Sequence, residues 1–169
     1  MSSDAPRIAF EPVSSEEFRR ACGRFATGIA VASVMDETDT PHGLTVSSFA
    51  AVSLEPPLIL ISLGHAVTRI EEFRSAQYFG LSFLNEQQRA ISDRFARKGH
   101  DRFEGVSWQR GETGVPLLAG ALATIECSVW QRVTAGDHDI FIGEVVRASA
   151  GEHGQPLLHY ASHYRKLAE

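Results

Sequence analysis

The first clear pattern along the chain is helical: Phe18, Cys22 and Phe25 fall on one stripe behind Ser14-Ser15-Glu16-Glu17. Ser14 can accept from the amide three residues on while Glu17 reaches back. This capping box predicts a helix from about Glu16 to Phe25, stopped near Gly28. The pattern then changes to that of strands. Ile29 to Met35 and Gly43 to Phe49, separated by the polar stretch Asp36 to His42, predict a hairpin with a wide tip that ends at Pro56-Pro57. Leu58 to Leu63 and Tyr78 to Leu84 are continuous apolar runs of strand length, and Val67 to Ser75 between them fits a short amphipathic helix. Gln87 to Arg97 reads as a further helix, with Ile91 and Phe95 four apart. Beyond a Gly-rich segment at 99–114, two long strands, Ala121 to Val133 and Asp139 to Ala148, meet around Ala135-Gly136-Asp137 as a second hairpin. Pro156 to Leu167 closes the chain.

Strands joined by short turns therefore outnumber helices, which favours an antiparallel barrel or sandwich over alternating βαβ units. Residues 1–13, with Pro6 and Pro12 and no burial period, predict a loose arm, leaving 14–169 as one domain. With 169 residues, 43% of them hydrophobic, the chain has material for one substantial core. Its 16 basic and 21 acidic side chains give a formal charge of −5 with no long basic run, which argues against nucleic acid as a partner. Two cysteines far apart, Cys22 and Cys127, form no disulfide framework or Cys-x-x-Cys motif, so a reducing cytoplasm is expected. No run of apolar residues is long enough for a membrane helix, so no membrane association is expected.

Two segments hold candidate chemistry. In Gly43-Leu44-Thr45-Val46-Ser47-Ser48-Phe49, three hydroxyls and the nearby amides can bind a phosphate or the polar edge of a planar ring; an edge strand with solvent-facing hydroxyls fits the spacing equally. In Gly136-Asp137-His138-Asp139, a histidine between acids can orient an amide-bearing ligand, or it can simply be an exposed turn residue. His159 and His163 lack the His-Glu-x-x-His pattern of zinc hydrolases, so no metal is expected. Gly-x-Ser-x-Gly, Gly-x-Gly-x-x-Gly and the P-loop are absent, and the paired carboxylates sit on solvated helix faces. A chain without an acid–base engine suits hydride transfer between two bound cofactors, which depends mainly on positioning.

The segments Phe25-Ala26-Thr27-Gly28-Ile29-Ala30-Val31, Gly43 to Phe49, Val52-Ser53-Leu54-Glu55-Pro56-Pro57, and Gly136-Asp137-His138 followed by Phe141-Ile142-Gly143-Glu144-Val145 occur in that order. Together they resemble the short-chain flavin reductases, the NAD(P)H:flavin oxidoreductases that supply two-component monooxygenases. The resemblance implies a mainly β fold, an antiparallel Greek-key FMN-binding split barrel with a few peripheral helices, usually a homodimer. It implies reduction of FMN or FAD by NADH or NADPH for a flavin-dependent monooxygenase partner; a flavin carrier or sensor without reductase activity is the alternative. It further implies flavin contacts from Thr45, Val46, Ser47, Ser48 and Phe49, with Thr27, Gly28, Ala51, Val52 and Ser62 nearby. The flavin phosphate would lie near Ala66, Val67 and Thr68. His138, joined by Ser162, His163, Tyr164 and Arg165, would contact the nicotinamide nucleotide. Two departures stand out: Ser47 replaces the family's common Asn, and Ser162-His163-Tyr164 replaces a Gly, Lys or Arg, Tyr run. NADH is favoured because no arginine pair is evident for a 2′-phosphate. A related phosphate-substrate oxidase would need a basic cluster that the linear sequence does not display.

Overall fold

The computed structural model describes residues 11–99 and 101–168. Most of the predicted N-terminal arm lies outside the described residues. The capping box forms as expected: the Glu17 amide donates to Ser14 Oγ at 3.2 Å and the Ser14 amide to Glu17 Oε2 at 3.2 Å, opening α1 (Ser15–Cys22). The apolar stripe of this segment is not buried. α1 buries no residue, and Phe18 and Phe25 are 63% and 77% exposed, because among the described residues no other element packs over them.

Strands β1 (Thr27–Gly28), β2 (Ala30–Met35) and β3 (Pro41–Val46) follow, and β2 and β3 make the expected hairpin. β3 ends at Val46, within the hydroxyl cluster, so that Thr45 is on the strand; Ser47–Phe49 is irregular and leads to β4 (Ala50–Leu54). Pro56-Pro57 does not end the first pair, as expected, but turns β4 into β5 (Pro57–Gly64). Next come α2 (Ile70–Ser75), β6 (Tyr78–Phe83) and α3 (Arg89–Ala96). The Gly-rich segment contributes β7 (Trp108–Arg110), and it is followed by β8 (Pro116–Leu118); the sequence pattern revealed neither strand. The long hairpin β9 (Ala123–Ala135) and β10 (His138–Ala150) then precedes β11 (Leu158–Tyr160) and β12 (His163–Arg165).

The fold is mainly β, with three antiparallel sheets among the described residues. The largest has seven strands in the order β3-β2-β6-β9-β10-β5-β4. Its edges, β3 and β4, are consecutive in the chain and joined only by residues 47–49. In a flat sheet they would lie about 29 Å apart, whereas four peptide steps reach at most about 14 Å. The sheet must therefore curl until its edges approach. The ladder itself does not close; on the β4 side of the gap the Ser62 amide donates to Ser48 Oγ at 2.9 Å, and that hydroxyl donates to the Ser62 carbonyl at 2.9 Å. The side chain thus extends the β4–β5 ladder beyond its last backbone pair, Ala50 with Leu60.

Burial follows the curl. Ala32, Val34, Ile61, Phe79, Leu81 and Phe141 pack inside it, and Ile29, Val31, Leu84, Phe95, Phe103 and Leu118 form a second cluster on the other side of β2. β2 is buried on both faces, so its residues show no polar–apolar alternation, and its one hydroxyl, on Ser33, donates to the Pro116 carbonyl. α3 lies close over β3 because Gly43 has no side chain: a Cβ there would sit 2.7 Å from the Phe95 ring.

Replacing Ser48 by alanine removes both edge bonds and is expected to destabilise the fold by about 1–3 kcal/mol, read as a lower denaturant midpoint. An unchanged midpoint contradicts this role.

Candidate functional site

Where the edges meet, a cleft of about 460 Å³ opens. Thr45, Val46, Ser47 and Ser48 form one wall, and Ser62 with the turn residues Ala66, Val67 and Thr68 forms another, with His138 at the rim. These nine residues, drawn from four separate stretches of sequence, share this one cleft. Thr27, Gly28 and Phe49 line a neighbouring apolar pocket of about 290 Å³ that shares Val46 and Ser47 with the cleft. Ala51 and Val52 are exposed on β4, and Ser162, His163, Tyr164 and Arg165 belong to the C-terminal hairpin; none of these six lines either cavity.

Several hydroxyls are already engaged. Thr45 Oγ1 donates to the Ser92 carbonyl at 2.7 Å, tying β3 to α3. The Tyr164 hydroxyl lies 2.9 Å from Ser92 Oγ and donates to Asp93 Oδ1 at 2.9 Å, and the Arg89 guanidinium lies over its ring. Burial raises the Tyr164 pKa, its leading cause. The C-terminal hairpin thus acts on the cleft through α3 rather than by lining it. The donors left to the cleft are mostly backbone: the amides of Ser47, Ser48 and Phe49 donate to no carbonyl among the described residues. Short runs of such amides bind anionic or carbonyl oxygens.

The remaining wall was not identified from the sequence. Phe95 and Ala96 at the end of α3, with Lys98 and Arg102 beyond it, complete the cleft. Arg102 is buried and donates from Nε and Nη2 to the Arg97 carbonyl at 2.9 and 2.7 Å, and from Nη1 to the Gly43 carbonyl at 2.7 Å. Burial, and then the charge of Arg69, lower its pKa, yet a guanidinium remains charged near neutrality. Among the described residues, no carboxylate lines the cleft. The missed signal was density: Arg94, Arg97, Lys98 and Arg102 fall within nine positions.

His138 is half exposed. Its Nδ1 lies 2.7 Å from Asp137 Oδ1, and this bond lowers the Asp137 pKa. The other ring nitrogen lies over Gly64, where a Cβ would approach Nε2 to 3.3 Å. The next residue, Asp139, points elsewhere and is buried. Its carboxylate accepts from Arg74 Nε at 2.7 Å and Thr134 Oγ1 at 2.8 Å, and contacts His65 Nε2 at 3.0 Å. It thereby joins the turn after β5, α2 and the β9–β10 hairpin beside the cleft. These contacts, the Arg74 bond first, lower its pKa to about 2.

A family model described as a flavin reductase like domain matches residues 22–168. The chain is 41% identical over 144 residues to an NADH-dependent FMN reductase of Agrobacterium fabrum, covering 85% of this chain and 81% of that one. It is 34% identical over 168 residues to an NADH-dependent FAD reductase of Streptomyces globisporus, covering 96% and 91%. The solved structure of the NADH:FAD oxidoreductase of Streptomyces globisporus, in complex with NAD and FAD fragments, superposes with a TM-score of 0.86 at 35% identity, covering 94% of this chain and 98% of that one. Two longer relatives are matched over only 42% and 41% of their length.

A carboxylate whose pKa falls on folding stabilises the fold above its unfolded value and loses that contribution as pH drops through the folded value. The Asp139 contribution should therefore disappear between about pH 4 and about pH 2. Asp139→Asn is expected to be less stable than the parent at pH 7, with the difference shrinking across that window in acid denaturation. A gap that stays constant from pH 7 to pH 2 contradicts the assignment.

Proposed function

The chain belongs to the family of flavin reductase-like domains, and from that premise we propose that it oxidises NADH and reduces FMN or FAD for a flavin-dependent monooxygenase. The observation that carries this reading is the cleft where residues 45–48, 66–68 and His138 converge and which no carboxylate lines among the described residues. A flavin bound there supplies a ring that takes a hydride, two electrons with one proton, from the reduced nicotinamide.

The chain's own groups act by position and charge. The amides of residues 47–49 hold the polar edge of the ring and stabilise negative charge gained on reduction, as an oxyanion hole does, with the buried Arg102 guanidinium adding positive potential and Lys98 left to the flavin phosphate. Leu44, Val46 and Phe95 give the cleft an apolar wall that limits water. His138 orients the nicotinamide nucleotide through the ring nitrogen that Asp137 leaves unengaged. The Ser47 hydroxyl, shorter than an Asn amide, leaves ring recognition to the backbone beside it. Tyr164 and its hairpin position α3.

The closure of the sheet as a Greek-key split barrel is part of this reading, supported by the short 47–49 link. So is a homodimer. The apolar side chains that α1 exposes, together with Leu54 on edge strand β4, 90% exposed, give a second copy a surface to cover. Residues 14–169 act as one domain, and the two free thiols suit the cytoplasm, where NADH is also supplied.

The direct test is NADH oxidation at 340 nm with and without FMN, FAD or riboflavin. Turnover that requires added flavin is expected; flavin binding without NADH oxidation would instead indicate a carrier. In the same assay His138→Ala should raise the KM for NADH several-fold and leave flavin affinity within about twofold, a loss of roughly 1 kcal/mol confined to NADH. Loss of flavin binding with an unchanged KM contradicts the role given to His138.

A further inference from the structure

Two neighbouring residues at the start of β10 serve different ends of the cleft. His138 stands at the rim, while Asp139, one position on, points to the opposite face of the strand and is buried. Gly64, the last residue of β5, pairs with His138, and from there the chain leaves the sheet through residues 65–69 to reach α2. Ala66, Val67 and Thr68 of this turn line the cleft. The Val67 amide closes the turn on the Gly64 carbonyl at 3.1 Å, and its side chain packs against the inner core. Among the described residues, the Ala66 and Thr68 amides donate to no carbonyl and Thr68 Oγ1 makes no hydrogen bond. Three donors within three residues are thus left to the cleft.

His65 does not line the cleft, yet it ties this turn down. Its amide donates to the Asp137 carbonyl at 2.9 Å, and its Nε2 lies 3.0 Å from Asp139 Oδ1. Asp139 is a fixed anchor, since Thr134 of β9 donates to the same oxygen at 2.8 Å and Arg74 of α2 donates to Oδ2 at 2.7 Å. An ionised carboxylate only accepts, so Nε2 carries the proton of the His65 bond, and a bond to a charged acceptor is stronger than a neutral one. Among the described residues, no other side chain of residues 65–68 makes a hydrogen bond. A turn free to move would have to be ordered when a ligand binds, at the expense of affinity; a turn pinned beforehand binds without that loss.

We propose that His65 is a positioning residue for the flavin phosphate: bonded to Asp139, it holds the 66–68 turn so that the unused donors of Ala66 and Thr68 meet the phosphate. The inference rests on the flavin-reductase reading and assigns to that site a residue that touches neither cofactor. It separates phosphate recognition from ring recognition, because the ring is held by the 47–49 link on another wall of the cleft.

The test compares FMN with riboflavin, which has the same ring and no phosphate. Dissociation constants are measured by flavin fluorescence quenching, without NADH, for the parent, His65→Ala and His65→Gln. The parent should bind FMN more tightly than riboflavin. His65→Ala should lose about tenfold in FMN affinity, as expected for a lost bond to a charged acceptor, and change less than twofold toward riboflavin, which also shows that it is folded. His65→Gln, whose amide nitrogen can donate to Asp139 in place of Nε2, should stay within about threefold of the parent for FMN. With FMN saturating, the KM for NADH should be the same in all three proteins. Equal affinity of the parent for FMN and riboflavin, equal losses for both flavins in His65→Ala, or a His65→Gln as weak toward FMN as His65→Ala would each overturn the proposal. A raised KM for NADH with unchanged FMN affinity overturns it in favour of an action through His138. Failure of the parent to bind either flavin overturns the reductase reading as well, and is thereby distinguished from failure of this inference alone.

Discussion

Three residues, Ser47–Phe49, carry the chain from one edge of a seven-stranded sheet to the other, and the sheet has to bend to let them. The bend encloses the inner core around Phe79 and Phe141 and brings the end of β3 beside the end of β5. At that meeting point regular pairing stops. The backbone amides of the link are left without carbonyl partners, while the Ser48 hydroxyl completes the hydrogen bonding of Ser62. The constraint that shapes the sheet therefore also supplies a concave site lined with donors.

Charge is sorted around this site rather than averaged over the surface. Carboxylates next to it are tied down: Asp139 by Arg74, Thr134 and His65, Asp137 by His138, and Asp93 by Tyr164. Among the described residues none lines the cleft itself, and a buried guanidinium held by carbonyls stands in its wall. In an acidic protein this keeps the local field positive where a reduced flavin is to be stabilised. The same tethers hold the turn after β5 and α3, the two elements that narrow the cleft.

Local patterns were legible where a local rule applies. The Ser14–Glu17 capping box, the β2–β3 hairpin, the β9–β10 hairpin and the apolar runs of β5 and β6 all follow from spacing and turn chemistry. Phe18 and Phe25 had the spacing of a buried stripe but lie exposed, since periodicity reports that a face is apolar and not what covers it. β7 and β8 are three residues each, too short to show a period. At the site, the hydroxyl cluster and His138 could be located from motifs, whereas the roles of Thr45 and Ser48 as structural ties depend on partners 47 and 14 positions away. The basic wall was missed because Arg94, Arg97, Lys98 and Arg102 straddle a helix end and converge only once Gly43 lets α3 lie on β3.

The claim on which the rest depends is that flavin occupies the cleft formed where the two sheet edges meet. A crystal structure of the protein soaked with FAD tests it most directly. The account predicts density for the flavin ring against the amides of residues 47–49, with phosphate beside Lys98 and the 66–68 turn. Flavin bound elsewhere, for example in the apolar pocket between Phe25 and Phe83 with the cleft holding only solvent, would contradict it.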